Sequence, residues 1–448
     1  MATLRYYTGM KNKIYFFYPK GKKLTGQEMA SKLILEVLGW RIEGLGSEGL
    51  KPSALSLIPK LIPVLDRDGS WLTSRLFYLG GILKLWLQFF ILLFVAKPVL
   101  YLNICQTWNA VVREGILFLL LSAIRPNTRS VISLHGQNFC MWPVGSKLQR
   151  IFKTILNRAD VITVLGPNQR EVLIRWGLNP DKVRIVNNTC EINAKTQGRK
   201  AKSISVDSCT SVAKRINLLF LSNLIETKGY REYLEALELL SKETSVASAP
   251  LRGINAVFCG KLTDTCSSEV ENDAESWILN KIVSINKSSF VSVEWVKGAY
   301  GDEKQILFSA ADIFVFPTRY ATEAQPIVLI EAMASGCAII TSQAGEIPSM
   351  VNDSCAIALA EATSENVAVA IKNIISTQRR EDSKVSLFQG KNSELFNDNK
   401  VHEAHLDPVK KERTLEELQS SARIHFTKHF SQDIYKQQWL DIFTGLTK

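Results

Sequence analysis

The sequence predicts an α/β protein with two doubly wound domains. The chain has 448 residues, more than a single hydrophobic core usually organises. Both halves alternate short runs of β-branched and aromatic residues with longer runs of helical periodicity. This alternation is typical of parallel sheets covered by helices. A polar stretch rich in Ser and Lys, residues 191–215, separates the halves as a linker would.

The predicted elements follow one another in both halves. In the first half the strands are Ile14–Tyr18, Val99–Asn103, Val131–Leu134, Val161–Val164 and Val183–Val186, and the helices are Glu28–Leu38, Ala110–Ala123, Leu148–Leu156 and Gln169–Arg175. In the second half the strands are Asn217–Leu221, Ala256–Cys259, Val291–Val296, Ile313–Phe316 and Ala338–Thr341, each with a helical segment after it. We therefore expect a first domain at 1–190, a second at 216–420 with a polar insertion at 381–413, and terminal helices at 421–448.

The charge of the chain is concentrated in its first half. Residues 1–190 hold 25 Lys and Arg against 10 Asp and Glu, whereas the remaining residues hold 29 against 33. A basic surface attracts an anionic partner, such as nucleic acid or a membrane. No nucleic-acid motif accompanies these charges, so we expect an anionic membrane surface as partner and no nucleic acid.

Two segments are candidates for membrane contact. Leu76–Ala96 is the most hydrophobic stretch, but Lys84 leaves an uncharged run shorter than the ~20 residues that span a bilayer. A buried or interfacial helix is the better interpretation. Lys147–Arg158 has an amphipathic pattern with basic residues around its apolar side, which suits either membrane contact or core packing.

The N-terminus and the cysteines indicate a cytoplasmic protein. The first residues, M-A-T-L-R-Y-Y, contain no apolar signal-peptide core. The 8 cysteines include no C-x-x-C pair, as is usual for a reduced protein without a zinc framework. We expect the protein to be peripheral on the inner face of the membrane.

Two carboxylates, Glu323 and Glu331, lie on either side of a predicted helix start. Pro326 suits the first turn and Gly336 suits the left-handed position after the last turn. Glu323 is then expected in the loop before the helix, and Glu331 between one and two turns inside it. The helix N-terminus would offer N–H groups to a phosphate, while the carboxylates would bind hydroxyls. This combination predicts a nucleotide-sugar ligand.

Five stretches of the sequence, together with their order along the chain, resemble retaining glycosyltransferases with the GT-B fold. The family is family four (glycosyl transferases group 1), of the exopolysaccharide and glycolipid type. The segment from Glu323 to Glu331 is similar to the E-x7-E signature of that family. The further similar stretches are Ile132–Gly136, Arg158–Leu165, Val183–Asn188 and Leu218–Tyr230. The resemblance covers most of the chain. It implies two Rossmann-like domains facing across a cleft, with a C-terminal helix that crosses back to the first domain.

The resemblance implies catalytic roles for Glu323, Lys228 and His135. Glu323 would contact the hydroxyls of the transferred sugar. Lys228 would neutralise the pyrophosphate; it follows the strand Asn217–Leu221 and should begin the next helix, at the edge of the sheet where ligands gather. His135 follows the strand Val131–Leu134 and would lie near the sugar and its phosphate.

The resemblance also implies contacts with the donor and the acceptor. Glu331 would bind the ribose, and the other donor positions are Gly26, Asn223, Gln325, Pro326 and Ile327. Backbone N–H groups near Gln325 and Ile327 would donate, whereas Pro326 has none. Asn223 stands where the family usually has arginine, which weakens stabilisation of the leaving group. Arg113 and Glu114 would touch the acceptor.

These observations predict a retaining glycosyltransferase that transfers a sugar from a UDP-, GDP- or ADP-sugar to a lipid-linked or polysaccharide acceptor, without a metal or cofactor. Alternatives remain open. Asp66-x-Asp68 would suit the metal-dependent, single-domain type of glycosyltransferase, but the rest of the sequence favours the two-domain type. A nucleotide-sugar epimerase or phosphorylase could share the architecture. Asn223 leaves open a catalytically degenerate, donor-binding partner in a polysaccharide assembly complex.

Overall fold

The computed structural model describes residues 2–5, 14–17, 33–34, 41–42, 90, 99–191, 215–242, 253–262, 268–390 and 413–447. The chain divides into two compact units. The first comprises Met1–Thr189, Thr322–Gln325 and Phe430–Lys448, and the second comprises Cys190–Ala321 and Pro326–His429.

The first unit is built on one mixed sheet with strand order β3-β1-β2-β4-β5-β6-β7. Its strands are β1 (Ala2–Arg5), β2 (Ile14–Phe17), β3 (Arg41–Ile42), β4 (Val99–Asn103), β5 (Arg129–Ser133), β6 (Val161–Val164) and β7 (Val183–Ile185). Strands β2, β4, β5, β6 and β7 are parallel, as predicted, whereas β1 is antiparallel to β2 and β3. Strands β1 and β3 were not predicted, because neither contains the apolar run that marks a buried strand.

Helices that lie between these strands in the chain cover one face of the first sheet. They are α1 (Trp108–Ile124), α2 (Lys147–Arg158) and α3 (Pro167–Arg175), with short 3-10 turns at Asn138–Met141 and Pro180–Lys182. Alternate residues of β4 point to opposite faces, so that Leu100 and Leu102 pack in a core with α1 and α2. The apolar side of α2, including Phe152 and Ile155, is buried there. Core packing therefore explains the amphipathic pattern of Lys147–Arg158.

The opposite face of the first sheet packs against the C-terminal helix. Tyr101 of β4 contacts Trp439 edge-on, with ring centroids 5.6 Å apart, in a core that also contains Phe443. This helix, α11 (Gln432–Thr447), comes after all elements of the second unit and returns to the first sheet. The predicted return of the last helix to the first domain is confirmed.

The second unit contains an entirely parallel sheet with the order β10-β9-β8-β11-β12-β13. Its strands are β8 (Ile216–Leu221), β9 (Ile254–Cys259), β10 (Val291–Val296), β11 (Ile313–Phe316), β12 (Ala338–Thr341) and β13 (Ala356–Ala358). This is the doubly wound strand order, in which the winding direction reverses between β8 and β11. Ligands of such sheets bind beyond the carboxyl ends of the strands at that reversal.

The helices of the second unit connect these strands. They are α4 (Tyr230–Lys242), α5 (Ser268–Ile285), α6 (Gly301–Ala310), α7 (Ile327–Ser335), α8 (Ile347–Met350), α9 (Ser364–Gly390) and α10 (Leu415–His429), and α11 (Gln432–Thr447) completes the first unit. Helix α9 includes the start of the predicted insertion at 381–413, of which 391–412 lie outside the described residues. Helix α10 packs within the second unit, where Arg423 donates to the carbonyl of Ser335. Of the terminal helices predicted at 421–448, only α11 belongs to the first unit.

Candidate functional site

Lys228 lies at the reversal point of the second sheet. It belongs to a 3-10 turn, Glu226–Lys228, that follows β8, and its ammonium lies 4.5 Å from the ring centroid of Tyr320, which follows β11. The ring centroid of Phe316, at the end of β11, is 5.8 Å away. The aromatic faces favour a cation at this position. The two loops thus place a positive charge where a doubly wound sheet binds its ligand.

The sequence had predicted that Lys228 begins the next helix, and this prediction is wrong. Gly229 explains the difference. Its φ of 84° is left-handed, and this conformation ends the 3-10 turn before α4 starts at Tyr230. A Cβ at this position would lie 2.2 Å from the carbonyl oxygen of Pro317. Only glycine lets the Lys228 loop approach the loop after β11 this closely.

Helix α7 has the predicted ends. Pro326 is its N-cap residue, and Gly336 follows its last residue with φ 69° and ψ 41°. Glu323 lies just before the helix and is 6% exposed, so its carboxylate is largely removed from solvent. In the first turn of α7 the N–H of Leu329 donates to the Pro326 carbonyl at 3.1 Å, which leaves the N–H groups of Ile327 and Val328 to donate to a phosphate.

Glu331 lies in the second turn of α7 and forms a partly buried ion pair. Its Oε1 lies 2.5 Å from the Nζ of Lys304 on α6. The Oε2 atom is buried and has no hydrogen-bond partner in the described part of the chain. Burial raises the pKa of Glu331, and the charge of Lys304 opposes that rise. One carboxylate oxygen is therefore oriented by Lys304 while the other remains available to a hydroxyl donor.

Gln325 uses its side chain within the protein. Its Nε2 donates to the carbonyl of Leu165 at 3.2 Å and to Oδ1 of Asn187 at 3.0 Å. The backbone N–H of Asn188 donates to its Oε1, and the Asn188 side chain donates to the Gln325 carbonyl at 3.2 Å. These bonds fix the backbone immediately after Glu323.

His135 lies at the carboxyl end of β5 in the first unit. Its Nε2 lies 3.0 Å from the hydroxyl oxygen of Ser133 and 3.4 Å from that of Tyr101. Burial lowers the pKa of His135 to about 4, so the imidazole is neutral near pH 7. The adjacent carbonyl of Gly136 accepts hydrogen bonds from Gln106 and Gln169, at 2.7 and 3.2 Å.

The remaining predicted positions differ in their surroundings. Asn223 is exposed in the turn after β8. Arg113 and Glu114 form an ion pair on α1, with Nη2 and Oε1 2.5 Å apart. Burial raises the pKa of Glu114, and Arg113 counteracts this. Gly26 lies outside the described residues.

Two cations near these positions, Lys304 and Arg319, were not predicted from the sequence. Lys304 carries no motif, because it meets Glu331 only when α6 packs beside α7. Arg319 is a second cation near the Lys228 loop. Its backbone N–H donates to the Thr227 carbonyl at 2.6 Å, and its guanidinium lies 2.5 Å from a carboxylate oxygen of Glu232. Within the described ranges, no three His, Cys, Asp or Glu side chains cluster so as to hold a metal ion.

Comparison with known proteins identifies relatives of the second half of the chain. Residues 207–386 match the family model described as Glycosyl transferases group 1. D-inositol 3-phosphate glycosyltransferase of Corynebacterium diphtheriae is 23% identical over 202 residues, 44% of this chain and 44% of that protein. Alpha-maltose-1-phosphate synthase of Mycolicibacterium smegmatis is 24% identical over 205 residues, 45% of this chain and 48% of that protein. The match thus spans less than half of each relative.

Solved structures resemble a larger part of the chain. Anabaena Alr3699/HepE in complex with UDP has a TM-score of 0.55 and 15% identity, covering 83% of this chain and 84% of that one. Sucrose-phosphate synthase of Thermosynechococcus elongatus has a TM-score of 0.58 and 14% identity, covering 97% of this chain and 98% of that one. Residues 207–386 thus resemble the glycosyl transferases group 1 family, and the fold of the chain is that of the GT-B glycosyltransferases.

Proposed function

We propose that the protein is a retaining, metal-independent glycosyltransferase that moves a sugar from a nucleotide diphosphate sugar to a lipid-linked or polysaccharide acceptor. The observation that carries the proposal is the buried Oε2 of Glu331, which has no partner among the described residues while Lys304 holds Oε1 2.5 Å away. A carboxylate oxygen in this state accepts hydrogen bonds, and the ribose diol of a nucleotide is a suitable donor. We favour UDP-glucose as the first donor to test, because Anabaena HepE was solved with UDP and with UDP-glucose.

The proposed reaction exchanges one bond at the anomeric carbon for another on the same face. The bond from that carbon to the diphosphate breaks, and a bond to the acceptor oxygen forms. The acceptor hydroxyl gives its proton to the departing phosphate oxygen. Lys228 and the first N–H groups of α7 stabilise the negative charge that grows on the diphosphate. Glu323 holds the sugar hydroxyls and forms no covalent bond.

The proposal is tested first by ligand-induced stabilisation. We expect UDP-glucose to raise the melting temperature by several degrees, because a ligand at about 100 times its Kd stabilises the folded state by about 2.7 kcal/mol. GDP-glucose and ADP-glucose serve as comparisons that identify the nucleotide. If none of the three raises the melting temperature, the proposed function is wrong.

Replacing Glu331 should weaken binding of whichever nucleotide sugar stabilises the wild type. Glu331→Gln keeps the size of the side chain but removes the charge, and a hydrogen bond to a charged group contributes about 1.5–3 kcal/mol. We therefore expect Kd to rise about 10- to 100-fold, measured by isothermal titration calorimetry. Glu361→Gln, at an exposed position, is the matched control. Equal affinities of both variants would contradict ribose binding by Glu331.

Donor binding without chemistry would favour the degenerate-partner alternative. Asn223 is exposed where the family usually has arginine, so a cation at that position is missing. Release of UDP from UDP-glucose, with water or an added saccharide as acceptor, separates the two cases. Conversion of UDP-glucose to a different UDP-sugar without any acceptor would instead indicate an epimerase.

We further propose that the protein docks on an anionic membrane through α1 and α2. On α1, the side chains of Ile116, Leu120 and Ile124 recur every four residues on one side and are 44%, 44% and 63% exposed. Trp108, at the start of α1, is 48% exposed. A contiguous apolar surface of this kind suits insertion into the headgroup region of a bilayer.

Helix α2 packs against α1 and carries exposed cations. Gly115 permits close contact between α1 and α2, because a Cβ there would lie 2.1 Å from the Cδ1 of Ile155. On α2, Lys147, Arg150 and Arg158 are exposed. Each such charge contributes about 1 kcal/mol of attraction to an anionic bilayer. No helix within the described residues combines the length and apolar character needed to cross a bilayer.

Removing two apolar side chains from α1 should reduce binding to vesicles. Burying Ile or Leu is favourable by about 1.5–3 kcal/mol each, so the double variant Ile116→Ser, Leu120→Ser should bind at least about tenfold more weakly. Co-sedimentation with phosphatidylcholine vesicles containing phosphatidylglycerol measures this. The matched control is Leu279→Ser, Val283→Ser, an exposed pair on α5. Equal loss in both double variants, or equal binding to pure phosphatidylcholine, would refute this docking surface.

A further inference from the structure

Three hydroxyl groups converge beneath His135 at the carboxyl ends of neighbouring strands. Ser133 of β5 and Thr163 of β6 are paired in register, and the Oγ1 of Thr163 lies 2.8 Å from the Oγ of Ser133. The Oγ of Ser133 is in turn 3.0 Å from Nε2 of His135. The hydroxyl of Tyr101 faces the same ring nitrogen at 3.4 Å. Hydrogen bonds thus connect the Thr163 hydroxyl to the Ser133 hydroxyl, and the Ser133 hydroxyl to the imidazole of His135.

Among the described residues, one arrangement of the protons gives both the Thr163 hydroxyl and the Ser133 hydroxyl an acceptor. Thr163 and Ser133 are both buried, and within the described residues the Thr163 hydroxyl has one hydrogen-bond partner, Ser133. If Thr163 donates to Ser133, the Ser133 proton is left to donate to Nε2. The reverse direction would leave the buried Thr163 proton without an acceptor in the described part of the chain, which is costly. Nε2 is therefore the acceptor of the imidazole.

The other ring nitrogen follows from this assignment. A neutral imidazole carries its single proton on Nδ1 when Nε2 accepts. The Nδ1 atom of His135 is buried and has no hydrogen-bond partner among the described residues. Burial holds the pKa of His135 at about 4, so the ring stays neutral across the physiological range. A buried N–H donor without a partner is suited to an oxygen atom of a ligand.

We propose that Ser133 and Thr163 are positioning residues that fix His135 as the Nδ1–H tautomer, so that Nδ1–H donates to an oxygen of the nucleotide-sugar donor. The ligand assignment rests on the proposed function, whereas the tautomer assignment does not. The oxygen belongs either to a sugar hydroxyl or to a phosphate. UDP carries the phosphates without the sugar, so comparing UDP with UDP-glucose separates these sources.

The tautomer is measured by nitrogen-15 NMR on the full-length, labelled protein. The chain contains 5 histidines, and His135→Gln identifies the signals of interest by their loss. We expect a protonated Nδ1 and an unprotonated Nε2 between about pH 5 and 8. Among the described residues, Tyr101 on β4 is a titratable group in contact with the ring, and Tyr435 of α11 lies in the same core as Tyr101. A protonated Nε2 in the wild type would overturn the proposal without any variant.

Substitutions of Ser133 test its positioning role. We expect Ser133→Ala to yield a mixture of tautomers and a kcat about 10- to 100-fold lower, with little change in KM, because the donor of the hydrogen bond is misplaced. Ser133→Thr keeps a hydroxyl and should restore both readouts. Ser130→Ala, on the same strand with its hydroxyl 3.5 Å from Asp160, is the matched control. Unchanged tautomer and kcat in Ser133→Ala would overturn the proposal.

Ligand titration completes the experiment. We expect UDP-glucose to shift the Nδ1 signal of His135, and binding of UDP-glucose without that shift would overturn the ligand assignment. If UDP also shifts it, the acceptor is a phosphate oxygen; if only UDP-glucose does, it is a sugar hydroxyl. If no nucleotide sugar raises the melting temperature while Nδ1 is protonated, the proposed function and the ligand assignment fail and the tautomer assignment stands.

Discussion

Lys228→Ala should lower kcat about 100- to 1,000-fold while the protein remains folded. The ammonium lies 4.5 Å from the ring centroid of Tyr320, at the reversal point of the sheet, where doubly wound sheets generally bind their ligands. In the proposed reaction, negative charge grows on the diphosphate as its bond to the sugar breaks. Removing one group that stabilises such charge typically costs about 10²–10³ in kcat. The measurement is UDP release from the nucleotide sugar that gives the largest thermal shift.

Two further variants separate the charge of Lys228 from its structural contacts. Lys228→Arg keeps the positive charge but changes its geometry, so we expect partial activity. Lys287→Ala, at an exposed position in the turn after α5, should retain wild-type turnover. Near wild-type kcat in Lys228→Ala, with the melting temperature unchanged, would show that the leaving group is stabilised elsewhere. Arg319 is then the cation to test, because its backbone N–H donates to Thr227, the residue before Lys228.

The sequence predicted α7 in detail because both of its ends are encoded locally. Proline restricts the first turn and glycine favours the left-handed position after the last one. The structure has Pro326 as N-cap and Gly336 at φ 69°. The adjacent loop was predicted less well, since Gly229 follows a turn rather than starting a helix. Its close approach to Pro317 depends on a strand that lies far away in the sequence.

Sequence patterns did not predict the contacts between segments that are distant in the sequence. Lys304 and Glu331 pair because α6 and α7 lie side by side, and no local spacing indicates that neighbourhood. Ser133 and Thr163 could have been noticed, since both lie near the carboxyl ends of predicted parallel strands. Their pairing, however, requires the register of β5 and β6. The amphipathic pattern of α2 was ambiguous because periodicity defines an apolar side but does not identify its partner.

Glu323→Gln should lower kcat/KM about 100-fold or more, with little loss of stability. Residue Glu323 is 6% exposed, and the bonds of Gln325 to Leu165, Asn187 and Asn188 fix the adjacent backbone. A buried carboxylate contributes about 1.5–3 kcal/mol for each hydroxyl it binds, and two such bonds exceed 100-fold in rate. Glu303→Gln, exposed in the first turn of α6, is the matched control.

Deoxygenated donors provide the decisive test of Glu323. Each hydroxyl of the transferred sugar is removed in turn, and kcat/KM is measured for the wild type and for Glu323→Gln. Suppose that Glu323 binds a particular hydroxyl. Removing that hydroxyl from the donor should then lower kcat/KM strongly in the wild type but only slightly in Glu323→Gln, because the variant already lacks the interaction. Such non-additivity isolates the pairwise contact from general damage to the protein. Additive losses for every deoxy-donor would show that Glu323 supports the loop rather than the sugar.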